Sequence, residues 1–232
     1  ELYGDYGNIQ VLKYRLEKRG YKAIIEKYSI GDKAPDFKNY DLVFAGGGAD
    51  QEQSILAKDL IKYKDNIKEA VNNGVFFLLI CGAYQLFCKY YKGVEGNIIP
   101  GLEIFNYYTE AIENRKKRCI GNIVIEANLN GEKTKIIGFE NHGGQTFDID
   151  TPFGDVLFGN GNKFGDSKEG FFLKNVIATY LHGPLLSKNP ELADYIISHS
   201  LNRKYNEEIK LEPLNDDFEN LCRKQLLDNF LN

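Results

Sequence analysis

Few residues in this chain have the type and placement to do chemistry. Of four cysteines, Cys81 ends the apolar run Val75–Ile80 and is followed by Gly82, Ala83 and the start of a predicted helix at Tyr84 and Gln85. Strand, nucleophile, small residues and helix together make a sharp elbow that lifts the side chain above the C-terminal edge of a sheet. Gly82 and Ala83 let the backbone turn without clashes, and the helix N-terminus favours the thiolate over the thiol. A nucleophilic cysteine needs a base, ordinarily histidine, and the chain has three. His199 lies mid-helix among polar residues and reads as a surface histidine. His142 sits in the Gly-rich stretch Phe139–Gln145 and is a candidate site-lining residue. His182 follows the predicted strand Val176–Leu181, which places it on the sheet rim where ligand crevices form. Spacing favours His182 over His142 without deciding between them.

Acyl chemistry also needs hydrogen-bond donors for an oxyanion. Gly46-Gly47-Gly48 follows a short predicted strand, Leu42–Ala45, so the amides of Gly47 and Gly48, with that of Gly82, are the candidates. No G-x-x-x-x-G-K-[ST] occurs, and Gly159 to Gly165 has the wrong spacing for a dinucleotide fingerprint. The chain is therefore expected to bind no nucleotide. No CxxC pair exists, and no metal ligand set is expected. Cys88 falls about 10 Å along the same predicted helix from Cys81, beyond disulfide reach, and reads as packing. Cys119 and Cys222 carry no signal.

The elements that must position these residues alternate in type. Ile9, Leu12 and Leu16 recur at helical spacing and Gly20 falls at the C-cap. Tyr21–Tyr28 reads as a strand, 51–72 as one long helix stopped by Asn73-Gly74, Val75–Ile80 as a central parallel strand, and Tyr84–Lys92 as a helix. The alternation implies βαβ units and a parallel sheet. Beyond it, Ile120–Ala127, Lys133–Gly138, Asp155–Phe158, Gly170–Leu173 and Val176–Leu181 read as strands joined by Gly/Asn-rich turns. This β-rich half either continues the sheet or folds over its end. Helices follow after Pro190 and over Phe218–Phe230. The domain expected is residues 1–205, with 206–232 a helical extension. The chain opens in a loop leading straight into a helix and contains no Met, so a first strand is expected upstream of residue 1.

Composition bounds the partners. Lys and Arg number 29 against 33 Asp and Glu, a net charge of −4, which supplies no basic field for nucleic acid. The longest apolar run is far short of the roughly 20 residues of a membrane span, and the opening residues are polar rather than signal-like. The expectation is a cytoplasmic protein with no direct membrane insertion.

Six segments carry a resemblance: Leu2–Ile9, Gly46–Gln53, Ile80–Gln85, Gly121–Glu126, Gly138–Gly144 and Thr179–Leu185. They resemble class I glutamine amidotransferases of the cobyric-acid-synthase (CobB/CobQ-like) type, and within that family the amidotransferase subunits of lipid II isoglutaminyl synthases. The resemblance implies a three-layer, flavodoxin-like α/β fold with a mostly parallel central sheet. It implies that Cys81 attacks the glutamine side-chain amide, that His182 protonates the departing ammonia, and that the thioester is hydrolysed. Arg118 aligns with an arginine tied to substrate binding in the family, and Gln85, Asn141 and His142 are expected to help hold the glutamine. No cofactor is implied for this chain. ATP and Mg belong to the implied partner, a MurT-like Mur-ligase-family subunit in a heterodimer, which amidates the D-glutamate α-carboxylate of lipid II to D-isoglutamine.

One position departs from the superfamily pattern. Many class I enzymes carry a carboxylate two residues after the catalytic histidine to orient it, and here that residue is Pro184. The resemblance implies that an Asp of the ligase subunit completes the triad in trans, which would leave the isolated chain weakly active. Two other readings stand beside this one: an amidotransferase for another acceptor, such as cobyrinate, and a non-catalytic scaffold subunit.

Overall fold

In the computed structural model, which describes residues 5–33, 35–47 and 50–231, α1 (Tyr6–Glu17) turns Leu12 into the core. It ends as Gly20 predicts. Gly20 takes φ +80°, its N–H donates to Glu17 O, and Tyr21 N–H reaches back to Leu16 O at 3.1 Å. Those two bonds satisfy the last carbonyls of the helix. The strand expected over Tyr21–Tyr28 does not form. Its Ala23 and Ile25 line a groove of about 560 Å³ together with Leu12, Leu201 and Leu42 and Phe44 of β1 (Leu42–Ala45). A strand is defined by the ladder it shares, and an apolar β-branched sequence without a bonded neighbour does not make one.

The expected long helix is broken by a 3₁₀ turn, Ile61–Tyr63, into α2 (Asp50–Leu60) and α3 (Lys64–Asn72). β2 (Phe76–Ile80) is buried along its whole length, as a central strand should be. α4 (Gly82–Leu86) is much shorter than the helix expected through Lys92. Tertiary pairing overrides helical propensity there. Leu102 N–H takes Leu86 O, Lys89 N–H goes to Tyr107 O, and Gly101 N–H takes Lys89 O. The chain instead enters a small sheet that the sequence pattern does not announce, β3 (Tyr90–Lys92), β4 (Ile98–Pro100) and β5 (Tyr108–Ala111).

The β-rich half follows. β6 (Cys119–Leu129) and β7 (Glu132–His142) form a long hairpin through Asn130-Gly131, both at positive φ, as a tight hairpin turn requires. Next come β8 (Gly144–Phe147), β9 (Gly154–Phe158), β10 (Lys168–Glu169), β11 (Phe171–Leu173) and β12 (Val176–Thr179). The central sheet runs β1-β2-β12-β11, with the first three strands parallel. Two antiparallel-rich sheets, β10-β9-β6-β7 and β4-β3-β5-β8, fold over its C-terminal end. An isolated bridge between Phe139 and His182 joins β7 to that end. The expected α/β class with a mostly parallel central sheet is observed.

α5 (Pro190–Tyr205) and α6 (Asp217–Leu231) complete the chain. The segment 206–231 packs back on earlier elements. Phe230 stacks on Phe158 at 5.3 Å, and Arg223 bonds to Glu191 and to Lys135 O. A partly buried ion network ties the two ends together. Arg15, only 4% exposed, donates to Asp194 at 2.7 Å and to Asp216 at 2.6 Å, and Arg19 also reaches Asp194. Burial by itself would lower the Arg15 pKa, but the two carboxylates more than offset this and hold it above its ordinary value. Removing one partner of such a network leaves uncompensated charge, which is strongly destabilising. Arg15→Leu is therefore expected to lower unfolding stability by about 3 kcal/mol, read from the urea midpoint at constant m value.

Candidate active site

Cys81 is held at φ +53°, ψ −102°, a conformation that an L-residue adopts only under constraint. Its N–H donates to Thr179 O of β12 at 2.8 Å, and its carbonyl accepts from Gln85 N–H of α4 at 3.0 Å. The elbow is thus pinned by the neighbouring strand on one side and by its own helix on the other. The amide of Gly82, first in α4, is among those with no acceptor inside the helix.

His182 is fully buried beside this elbow. Its backbone is clamped by paired bonds with Phe139 of β7, at 2.9 and 3.1 Å. Gly47, after β1, closes the group. A Cβ placed there would stand 3.1 Å from His182 Cε1 and 3.4 Å from Cys81 Cβ, so any side chain would crowd both. The structure therefore brings Cys81, His182 and Gly47 together, as expected. It adds Asp5, which residue spacing does not single out. Asp5 is 1% exposed, and its carboxylate lies 3.2–3.3 Å from His182 Nδ1 across 177 residues of sequence. Asp5 Oδ2 also accepts the Gly47 N–H at 3.0 Å. This corrects the assignment of the Gly47 amide to the oxyanion, because that donor is taken. Gly82 remains a candidate, and Gly48, the third, lies outside the described residues.

A second group continues from the first. Gln85 Nε2 donates to the Tyr180 hydroxyl at 3.1 Å, and that hydroxyl is 2.6 Å from Thr146 Oγ1. The His142 ring stacks on Tyr180 at 3.6 Å and 6°, and its Nδ1 lies 2.7 Å from Gly144 O. A carbonyl only accepts, so Nδ1 carries the proton. Burial pushes the His142 pKa down to about 4, helped by the charges of His182 and Arg118. Between the two histidines the structure favours His182 as the partner of Cys81, since His142 faces Tyr180 and Gly144. Arg118 is exposed on the rim, where Asn141 Oδ1 accepts from its Nε and Nη2 at 3.2 and 3.0 Å. His199 is half-buried against Phe76 at 5.4 Å rather than on the surface, and burial lowers its pKa.

Cys88 and Cys119 are not poised to react. Burial pushes Cys88 up to about 12 and Cys119 up to about 11. Donor atoms of Cys119, Glu140 and His142 come within 4.8 Å of one another. However, both Glu140 oxygens are occupied by Asn160 and Gly161 N–H groups, and the Arg118 charge acts on the other two residues. The set reads as a brace for the 159–165 loop, and a guanidinium beside it opposes a second cation.

A CobB/CobQ-like glutamine amidotransferase domain matches residues 2–190. The chain belongs to that family. It is 42% identical over 203 residues to the lipid II isoglutaminyl synthase (glutamine-hydrolyzing) subunit GatD of Staphylococcus aureus strain N315, covering 88% of this chain and 81% of that one. It is 41% identical over 216 residues to the subunit of the same name from Streptococcus pneumoniae, covering 92% and 81%. A probable cobyric acid synthase of Methanococcus vannielii is 33% identical over 147 residues, which is 60% of this chain and 29% of that protein. In fold, the chain is similar to a crystal structure of a glutamine amidotransferase (TM-score 0.56, 16% identity, 86% of this chain and 95% of that one). A second, from Thermotoga maritima, gives a TM-score of 0.52 at 15% identity, covering 94% and 90%. The chain is thus an amidotransferase-family enzyme, and no helix among its described residues is long and apolar enough to cross a membrane.

In this amidotransferase, Glu169 braces the strand that delivers His182. It is fully buried, accepts from Tyr180 N–H at 2.7 Å, and has Thr179 Oγ1 3.0 Å from both oxygens. Burial pushes its pKa up to about 8. Glu169 and His142 have opposite linkage signs. The folded state keeps the Glu169 proton that the unfolded state loses near pH 4.5, so stability falls as pH rises from 4.5 to 8. The folded state lacks the His142 proton that the unfolded state gains near 6.5, so stability falls as pH drops from 6.5 to 4. The two slopes cancel between 4.5 and 6.5. Glu169→Gln keeps the neutral hydrogen-bonding shape, so thermal melts are expected to lose the decline between pH 6.5 and 8, while the uncovered His142 slope brings the acid-side decline up to begin at pH 6.5.

Proposed function

We propose that this chain is the glutamine-hydrolysing subunit of a lipid II isoglutaminyl synthase. The observation that carries the chemistry is Cys81 at its strained elbow, with His182 and Gly47 gathered over it. The Cys81 thiolate attacks the side-chain carbonyl carbon of glutamine, and the oxyanion that forms accepts the Gly82 N–H. Collapse breaks the C–N bond while His182 donates the proton that releases ammonia. Water, deprotonated by His182, then hydrolyses the γ-glutamyl thioester to glutamate and free thiol. Arg118 on the rim suits the substrate carboxylate, and Gln85, Asn141 and His142 line the way from it to Cys81. Two relatives at 41–42% identity that carry the lipid II name support the acceptor, as against a shorter match to a cobyric acid synthase. Ammonia passes to a MurT-like Mur-ligase subunit, which binds ATP and Mg and activates the D-glutamate α-carboxylate. The heterodimer works on the cytoplasmic face, where those substrates are.

The test is glutamine hydrolysis and lipid II amidation by the chain co-expressed with its ligase subunit. Cys81→Ser is expected to cut both by at least about 10³-fold with glutamine as donor, while ammonium salts restore amidation. Diazo-oxo-norleucine should label Cys81, and glutamine should suppress the labelling. Labelling that glutamine leaves unchanged, or full turnover by Cys81→Ser, would sink this reading.

A further inference from the structure

The superfamily position for the histidine-orienting carboxylate is occupied by Pro184, and the family resemblance looks to the partner for a replacement. The geometry points to a different source: we infer that Asp5 is the positioning residue of His182, supplied in cis from the residue just before α1. This deepens the glutaminase reading above and rests on it.

Elimination supports the assignment. Among the described residues three carboxylates are buried: Asp5, Glu140 and Glu169. Glu140 spends its oxygens on Asn160 and Gly161, and Glu169 spends its own on Thr179 and Tyr180. Asp5 alone of the three turns its oxygens to His182 Nδ1. Among the described residues, Gly47 and Cys81 also lie beside that ring, and His142 is close enough to interact with it. None of these is a carboxylate.

The docking of α1 supplies an independent observation, because it explains the proline. A Cβ on Gly7 would stand 2.5 Å from Pro184 Cγ, so the first turn of α1 rests directly on the residue that replaced the usual carboxylate. Next to it, buried Asn8 accepts the Leu186 N–H at 2.8 Å. Gly7 and Asn8 thus clamp the 182–186 segment, and Asp5, just before them, is carried onto the histidine. With the hydrogen held on Nδ1, Nε2 becomes the nitrogen that exchanges a proton with Cys81 and with the leaving ammonia, and the carboxylate stabilises the imidazolium between those steps. Asp5 Oδ2 also holds Gly47, so one side chain aligns the ring and the glycine loop together.

Asp5→Asn tests this with little change of shape. The amide oxygen can still take the Gly47 N–H, while its NH₂ faces Nδ1 and forces the wrong tautomer. Glutaminase kinetics and the pH profile of Cys81 alkylation by iodoacetamide are measured on the full chain, alone and co-expressed with the ligase subunit. The expected result is a loss of about 10²–10⁴-fold in kcat with KM within about twofold, in both preparations. The alkylation inflection should move to higher pH, thermal melting should stay close to wild type, and Asp5→Glu should recover part of the loss. Wild-type turnover by the Asp5→Asn complex would overturn the assignment in favour of a carboxylate in trans. A loss that follows melting temperature with an unchanged alkylation profile would reduce Asp5 to a structural residue and overturn it equally. Hydrolysis that survives Cys81→Ser in the otherwise unaltered chain would remove the glutaminase reading itself, and this assignment with it.

Discussion

The positive φ at Cys81 is the constraint on which the rest of the site depends. A β-carbon-bearing residue in that conformation carries roughly 1–3 kcal/mol of strain and persists only where its surroundings over-determine it. Here the surroundings are the buried strand before it, the bond from its N–H to Thr179 O, and the helix that takes its carbonyl. Because β12 supplies that bond and runs on into His182, the strand that pins Cys81 also delivers the histidine. Register between β2 and β12 (Thr179 opposite Ile80) therefore fixes the relation of the two residues before any side-chain contact is made.

The β-rich half sets the other boundary of the site. β7 crosses from its own sheet to the end of the central one, and its two bonds to His182 leave that residue no backbone freedom. The same strand carries Asn141 and His142, and β8 follows with Gly144, whose missing Cβ leaves room for Gln85 and Thr109. A connected set of Gln85, Tyr180, Thr146, Thr109 and His142 results, all buried and bonded or stacked in sequence. Such a set is rigid when its groups are satisfied. It connects the helix that follows Cys81 to the strand that carries Asn141, the partner of Arg118.

How much of this is legible in the sequence depends on how local the cause is. The elbow at Cys81 is legible because the apolar run, the small residues and the helix signal are contiguous. The C-cap at Gly20 and the turn at Asn130-Gly131 follow from φ alone. Local pattern misleads where pairing decides the outcome. Tyr21–Tyr28 has strand-like residues and no ladder, whereas Tyr90–Lys92 has helical context but is drawn into a sheet by Tyr107 and Gly101. His199 looks like a surface residue because its neighbours in sequence are polar, while Phe76 and Tyr195, which it meets in the fold, are not. Asp5 is out of reach of spacing arguments, since its partner is 177 residues away. Its one local signal is a carboxylate in a Gly/Tyr loop feeding a helix, inside a stretch that carries the family resemblance.

Charge in this site is managed by burial as much as by pairing. Glu169 is pushed up to about 8 and His142 down to about 4, so around neutral pH burial favours the uncharged form of both, and burial raises Glu140 in the same direction as Glu169. Neutral buried groups exert weak fields, and the ionic chemistry then falls to the Cys81, His182 and Asp5 group and to Arg118 at the rim. Had Glu169 stayed charged at the same depth, it would compete with Asp5 for the imidazolium and raise the cost of a second anion beside the thiolate. Taking the orienting carboxylate from α1 instead of from position 184 keeps it apart from those acids. It also frees position 184 for the proline on which α1 is seated.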